Sequence, residues 1–183
     1  KSATGSTTVN ISSVNDAPAI MNGSVYSYTG ITEDAISIGV TVTTIVNAAG
    51  WADPDTGTVR GMAITGSSGN GTWQYSIDGT TWNTFGSVSG TNALLLGATT
   101  QVRYIGDSAN GETATFNYRA WDQTNGTAST NATQNYLNPG SGGGTTAFSS
   151  QSATGQIVTT SIHDAPGLDA GRSPGLASQN EDS

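Results

Sequence analysis

Acidic residues concentrated in short turns are the side chains of this sequence best suited to chemistry. The turns include Glu33-Asp34, Asp53-Pro54-Asp55, Asp107-Ser108 and Trp121-Asp122. Asp53 and Asp55 lie two residues apart in a turn fixed by Pro54, so both carboxylates can point at one ion. Calcium takes six to eight oxygen ligands from carboxylates and carbonyls in flexible geometry. Without a cation these clustered carboxylates would repel one another, and we therefore expect the turns to hold calcium.

Catalytic arrangements find little support among the same residues. His163 is the single histidine, and no Ser, Cys or Asp constellation of the triad kind can be built around it from the sequence. Glycoside hydrolysis needs two separated carboxyls, one with a raised pKa, whereas carboxylates that hold a metal must stay ionised. Gly140 to Gly144 lacks the Lys and the strand-to-helix context of a phosphate-binding loop. We therefore expect no enzyme.

The overall composition limits the partners of the protein. Asp and Glu number 13 against 5 Lys and Arg, which gives a net charge of -8, and Cys is absent. Such a chain repels nucleic acid and anionic membranes, because binding to phosphates requires Lys and Arg. The longest apolar-leaning stretch, Ile36 to Val46, is too short and too polar to cross a bilayer. The composition favours a protein that is exported without disulfides and stabilised outside the cell by metal, and we expect it to be a monomer.

The elements that must position the acidic turns are predicted to be strands. Gly, Ser, Thr and Asn are abundant and helical periodicity is not visible, so the sequence predicts an all-β fold. Asp78-Gly79 between two alternating runs predicts a tight hairpin with a type I′ turn. Seven short strands suit a sandwich, and we predict them at 24–29, 36–46, 58–64, 72–77, 101–105, 113–121 and 156–162.

A long-range repeat indicates the domain boundaries. Ser2-Ala3-Thr4-Gly5 returns at residues 152–155, and Asn15-Asp16-Ala17-Pro18 returns as His163-Asp164-Ala165-Pro166, which starts 148 residues later. A period of this length corresponds to a whole domain. We predict that residues 1–13 are either the closing strand of a preceding repeat or a leading strand, that 14–166 are one domain, and that 167–183 are a linker or disordered tail. The chain is accordingly expected to be a piece of a longer protein.

The order of the acidic turns resembles that of bacterial cadherin-like repeats, which occur in tandem in large calcium-dependent RTX adhesins exported by type I secretion. The resemblance covers most of residues 14–166 and implies a Greek-key, cadherin/Ig-like β-sandwich on the bacterial surface. The matching elements are Asn15-Asp16-Ala17-Pro18, Thr32-Glu33-Asp34-Ala35, Asp53-Pro54-Asp55-Thr56-Gly57, Asp107-Ser108-Ala109-Asn110-Gly111 and Trp121-Asp122-Gln123-Thr124-Asn125-Gly126.

The resemblance implies two calcium sites, one at each end of the domain. His163 stands where the family usually has Asn, which removes one carbonyl ligand from the lower site. The implied upper site, beside the incoming linker, consists of Asn15, Asp16, Asp53, Asp55 and Asp122, and the implied lower site of Glu33, Asp107 and Asp164.

The enlarged loop at residues 131–150 indicates that the domain does more than separate its neighbouring repeats. Residues 131–150 form a larger insertion than the short turn expected after Asp122, and long loops in compact domains are usually functional or mobile. The sequence from Gly71 to Asp107 also resembles peptide-binding domains of these adhesins. This resemblance implies that the domain captures a short peptide on a host or neighbouring cell by the C-terminal carboxylate of the peptide. The predicted ligand contacts are Gln123, Asn125, Tyr136 and Asn138, with Leu137 in the same lid.

Two other binding readings stay open. A purely structural extender repeat, stiffened by calcium between adjacent repeats of the same chain, would have an insertion that binds nothing. A carbohydrate-binding module would expose coplanar tryptophans, although core and hairpin packing is the favoured interpretation of all four. The four tryptophans are Trp51, Trp73, Trp82 and Trp121.

Overall fold

The computed structural model describes residues 5, 7–10 and 12–164, which form eleven strands in two sheets and one short helix. No helix of the described residues is long and apolar enough to span a membrane. The strands are β1 Val25–Ser27, β2 Ile31–Thr32, β3 Val40–Thr41, β4 Gly61–Ser68, β5 Thr72–Ser76, β6 Asn83–Thr84, β7 Ala93–Gly97, β8 Gln101–Ile105, β9 Thr113–Trp121, β10 Tyr136–Leu137 and β11 Ala153–Thr160, and the helix α1 is Val42–Ala48.

The larger sheet has the strand order β1-β11-β9-β4-β7-β10, with β2 also paired to β11. The smaller sheet has the order β3-β8-β5-β6. β1 and β2 run parallel to β11, and the other pairings between the strands are antiparallel. A register shift between Ile64 and Gly66 marks a bulge where β4 pairs with β9.

The core lies between the two sheets. Trp73 of the smaller sheet meets Phe116 of the larger one edge to face, with ring centroids 4.8 Å apart. Tyr75 and Tyr104 from one sheet and Met62 from the other are also buried in this cluster. Burial of such large side chains supplies most of the favourable free energy of folding. The prediction of an all-β fold with two packed sheets is confirmed, while its Greek-key, cadherin-like type stays a prediction.

The sequence located the central strands well. The predicted ranges 101–105 and 113–121 match β8 and β9 residue for residue. The ranges predicted at 24–29, 58–64, 72–77 and 156–162 overlap β1, β4, β5 and β11 with shifted ends. In β8, β9 and β11 more and less buried residues alternate with the period of two that a strand surface imposes, whereas the first four residues of β4 are all buried.

The strand predicted at 36–46 is wrong over its second half, because Val42–Ala48 is a helix. The Thr41 hydroxyl accepts a hydrogen bond from the backbone N–H of Thr44 and caps the first turn. Val42, Ile45 and Val46 are buried at the i, i+3, i+4 spacing of one helix face. The sequence alternates as far as Thr43, so the helical spacing was overlooked.

β7 was not predicted, because it lacks alternation. Leu94 and Leu96 face the main core, while Leu95 packs in a second apolar cluster on the opposite side of the sheet. This second cluster also contains Trp121 and Phe148. A strand covered on both faces has a continuous apolar run, which local periodicity cannot separate from a short helix.

The hairpin at Asp78-Gly79 is confirmed, since β5 and β6 pair, but its turn type is wrong. Tyr75 pairs with Asn83, so the connection is longer than two residues. Gly79 has a φ of 74°, and Asp78 is not among the residues with positive φ, which a type I′ turn requires at both positions. Instead, the Asp78 carboxylate accepts hydrogen bonds from the backbone of Thr80 and Thr81.

The predicted domain ends are only partly within the described residues. Residues 5, 7–10, 12 and 13 carry no strand, and positions 165–183 lie outside the described part of the chain. The leading segment is joined to the domain at Ala19, which exchanges two backbone hydrogen bonds with Ala52. The assignment of residues 1–13 to a preceding repeat stays a prediction.

Candidate functional site

An acidic cluster lies where the incoming segment meets the domain, and it brings together all five residues predicted for the upper site. Asp122 directly follows β9, and Asp53 and Asp55 lie in the connection between α1 and β4. The Ala19–Ala52 bridge holds the incoming segment beside that connection. We define the acidic cluster as Asn15, Asp16, Asp53, Asp55 and Asp122.

Hydrogen bonds join the members of the acidic cluster across the sequence. The Asn15 side-chain amide donates to Asp122 Oδ2 over 2.9 Å. The backbone N–H of Asp16 donates to Asp55 Oδ2 over 2.8 Å, and that of Asp55 donates to Asp53 Oδ1 over 2.9 Å. Asp122 Oδ1 accepts bonds from the backbone and hydroxyl of Thr124. The incoming segment is therefore fixed to two separate turns by carboxylate oxygens.

The electrostatics of the acidic cluster are unfavourable in the absence of a cation. Burial raises the pKa of the Asp53 carboxyl, the backbone N–H of Asp55 opposes this, and the negative charges of Asp122, Asp55 and Asp16 raise it further. Asp53 Oδ2 is buried and has no hydrogen-bond partner. Asp122 is only 3% exposed. A buried carboxylate oxygen without a donor costs free energy. Asp53 Oδ2 is therefore an acceptor that an added donor or cation could satisfy.

The oxygen ligands of this cluster are of the type that a hard cation prefers, but their spacing in this structure does not match a metal site. Carboxylate and amide oxygens are the ligands that calcium prefers. Yet among the described residues no group of three or more His, Cys, Asp or Glu side chains is close enough to hold a metal ion. An ion at this position would therefore have to draw the carboxylates closer together than they lie in this structure.

The residues predicted for the lower site are less well assembled. Glu33 is 1% exposed; its Oε1 accepts a bond from the backbone N–H of Ile162, and its Oε2 is buried without a partner. Asp107 Oδ1 accepts bonds from the N–H groups of Asn110 and Ala109, which hold the pKa of its carboxyl below the usual value. Asp164 is exposed. The described hydrogen bonds connect Glu33, but not Asp164, to a neighbouring strand end.

A groove of about 390 Å³ adjoins the acidic cluster. Asn15 contributes to both, because its amide reaches Asp122 and Thr146 while the residue lines the groove. The lining offers amides and hydroxyls together with the apolar Pro139, Ala147 and Phe148, and it contains no charged side chain. The residues that line it are Asn15, Thr124, Asn125, Asn138, Pro139, Gly140, Thr145, Thr146, Ala147 and Phe148.

Two of the four predicted ligand contacts, Asn125 and Asn138, line this groove, and the other two lie elsewhere. Gln123 has a φ of 67° and donates to the backbone carbonyl of Arg60 over 2.7 Å. The Tyr136 hydroxyl donates to the carbonyl of Phe85 over 2.8 Å, so this residue joins β10 of the larger sheet to the end of β6 in the smaller one. Sequence reasoning missed the second half of the insertion, where the apolar pair Ala147-Phe148 was the available signal.

The tryptophans do not form an exposed platform. Trp121 and Trp73 are buried in the two apolar clusters. Arg60 lies over the Trp51 ring at 4.6 Å from its centroid, and Arg103 lies over Trp82 at 3.9 Å. This arrangement agrees with the packing interpretation and removes the main support for a sugar-stacking surface.

Comparison with protein-family models, with curated proteins and with solved structures found no match to this chain. The features that bear on function are therefore the geometry of the acidic cluster and of the groove.

Proposed function

We propose that this chain is a calcium-dependent adhesion module of a bacterial surface adhesin, located outside the cell, that captures a short peptide. The observation that carries the proposal is the shared position of Asn15, which joins the acidic cluster to the groove. A cation held by the cluster would lie next to a ligand in the groove. The amides and hydroxyls of the groove suit the backbone of an extended peptide.

The charge of the site gives the cation a specific role. The groove has no Lys or Arg in its lining, and Asp122 accepts a hydrogen bond from Asn15, which lines it. A peptide's C-terminal carboxylate would be repelled by Asp122 unless a cation intervened. Calcium supplies that positive charge when bound, and the groove residues orient the rest of the peptide. Asn125 and Asn138 are exposed there and can donate to peptide carbonyls.

The experiment is calorimetric titration of the calcium-loaded chain with short peptides that have free or amidated C-termini, repeated with a chelator. We expect binding that requires both calcium and the free carboxylate. Thr145 is exposed and lines the groove, so Thr145→Trp should block it. The matched control is Thr99→Trp, at an exposed turn position outside the lining.

Two outcomes would contradict the proposal. Peptide binding that persists in Thr145→Trp would place the ligand outside the groove. Absence of binding under every condition, with melting still raised by calcium, would favour the structural extender repeat instead.

A further inference from the structure

Arg119 of β9 projects into the segment that forms most of the groove, which we call the groove loop and define as residues 138–149. Its Nη1 donates to the carbonyl of Ser141 over 2.7 Å and to those of Gly140 and Ser149 over 3.3 Å each. Among the described residues no acidic side chain bonds to this guanidinium. Three backbone carbonyls from two ends of the loop thus converge on one positive charge.

The conformation of the groove loop explains why it needs such a charge. Gly140, Gly142, Gly143 and Gly144 all have positive φ, between 58° and 77°. Left-handed residues at Gly140 and in the run Gly142–Gly144 take the chain out of any strand ladder, so carbonyls turned inward need another donor. At Gly142 an added Cβ would lie 2.3 Å from the carbonyl oxygen of Ser149 and 2.8 Å from Arg119 Nη1. The chain is therefore wrapped closely around the guanidinium.

The same loop supplies seven of the ten residues that line the groove: Asn138, Pro139, Gly140, Thr145, Thr146, Ala147 and Phe148. Within the loop, the bonds of Gly143 and Thr146 lie in one turn, and from outside it the Ala17 N–H donates to the carbonyl of Gly144 over 2.8 Å. The N–H of Gly143 donates to the carbonyl of Phe148 over 2.7 Å, and Thr146 Oγ1 donates to the Gly143 carbonyl over 2.9 Å. Loss of the charge at position 119 would leave three carbonyls without their strongest donor.

We infer that Arg119 is the positioning residue of the groove, an internal cation that shapes the groove loop whether or not calcium is bound. Calcium then completes the acidic cluster and supplies positive charge to a bound ligand, whereas the shape of the groove is already present without it. The role of the groove in ligand capture rests on the proposed function, whereas the order of the loop does not.

The test is amide hydrogen exchange of the full chain, followed by NMR so that single amides are resolved. In Arg119→Met we expect exchange at Gly143 and Thr146 to rise about tenfold or more. The amides of Met62 and Ile64 in the core should change far less. Arg119→Lys, which keeps the charge but not the fork, should restore part of the protection.

Chelation of calcium from the unchanged chain should leave exchange at Gly143 and Thr146 as it was. The matched control is Arg103→Met, because Arg103 lies on β8 and donates to Gln74 rather than to the loop. A chelator that raises exchange in the groove loop as much as Arg119→Met does would overturn the inference. So would an Arg119→Met variant that exchanges like the unchanged chain, or one that loosens the whole sheet equally.

Peptide titration separates this inference from the proposed function. If the unchanged chain binds none of the peptides, the proposed function fails while the exchange result still decides the role of Arg119. If Arg119→Met loosens the loop and peptide affinity is unchanged, Arg119 does not position the groove. Loss of affinity together with local loosening, both partly restored by Arg119→Lys, would support both.

Discussion

Oxygen acceptors lie close together in two adjoining regions of the molecule, the groove loop and the acidic cluster. Among the described residues, a positively charged side chain bonds to the oxygens of the groove loop but not to those of the acidic cluster. In the groove loop three carbonyls converge on the guanidinium of Arg119. In the acidic cluster the carboxylates of Asp53, Asp55 and Asp122 are held by N–H and O–H donors, and one buried oxygen of Asp53 has none.

The difference separates a region whose oxygens meet a positive charge of the chain itself from one in which a buried carboxylate oxygen has no donor. Neutral carbonyls need only a modest positive charge to lie together, whereas ionised carboxylates repel at short range. The groove loop is also anchored by packing, since Phe148 stacks on Trp121 with ring centroids 6.5 Å apart. The contacts described between members of the acidic cluster are hydrogen bonds, although Asp122 directly follows the buried Trp121. We therefore expect the two regions to respond to different perturbations.

The largest effect should come from the apolar anchor. Phe148 is buried in the second cluster with Trp121 and Leu95, so Phe148→Ala should lower the free energy of unfolding by about 3 kcal/mol through lost contacts and a cavity. Urea unfolding measures this. Val25→Ala, at an exposed position of β1, should cost less than about 1 kcal/mol. Similar losses in both variants would show that packing does not anchor the groove loop.

A smaller effect should come from calcium at the acidic cluster. With dissociation constants of about 10⁻⁴ to 10⁻³ M, which are typical of extracellular calcium-binding modules, about 10 mM calcium should stabilise the domain by roughly 1.4–2.7 kcal/mol per site. Thermal unfolding with and without calcium measures the gain. Asp122→Asn should remove most of it, while Asp34→Asn, at an exposed position outside the acidic cluster, should not. Equal gains in both variants would place the ion elsewhere.

The smallest effect should be the pH dependence caused by Asp53. Its folded pKa is raised, so ionising it costs stability at neutral pH, and this cost disappears as pH falls through the folded pKa towards the unfolded value. In calcium-free buffer Asp53→Asn should therefore be more stable than the unchanged chain near pH 7, by less than about 1 kcal/mol, with a difference that shrinks towards pH 4.

Urea unfolding at several pH values measures this difference between the two proteins. The Asp78 and Asp107 carboxyls, whose pKa values are lowered by backbone N–H groups, lose stabilisation as pH falls, and they are common to both chains. A difference that grows towards pH 4 would contradict the assigned role of Asp53.

Much of the fold was predictable because strands leave a local signal. The alternation in Gln101–Ile105 and Thr113–Trp121 gave both strands with their ends. The acidic turns were recognised by residue type, and the structure brings Asn15 to Asp122, which lies 107 residues away in sequence. The helix Val42–Ala48 and the strand Ala93–Gly97 were missed, since each depends on what covers it.

The sequence by itself determined the all-β class, the acidic character of the turns and the position of the insertion, because composition and short-range periodicity record these directly. Only the tertiary structure decided that Asn15 serves both the acidic cluster and the groove, and that Arg119 lies inside the groove loop. Neither contact has a local pattern. Each depends on segments far apart in the chain that meet only after the two sheets have packed.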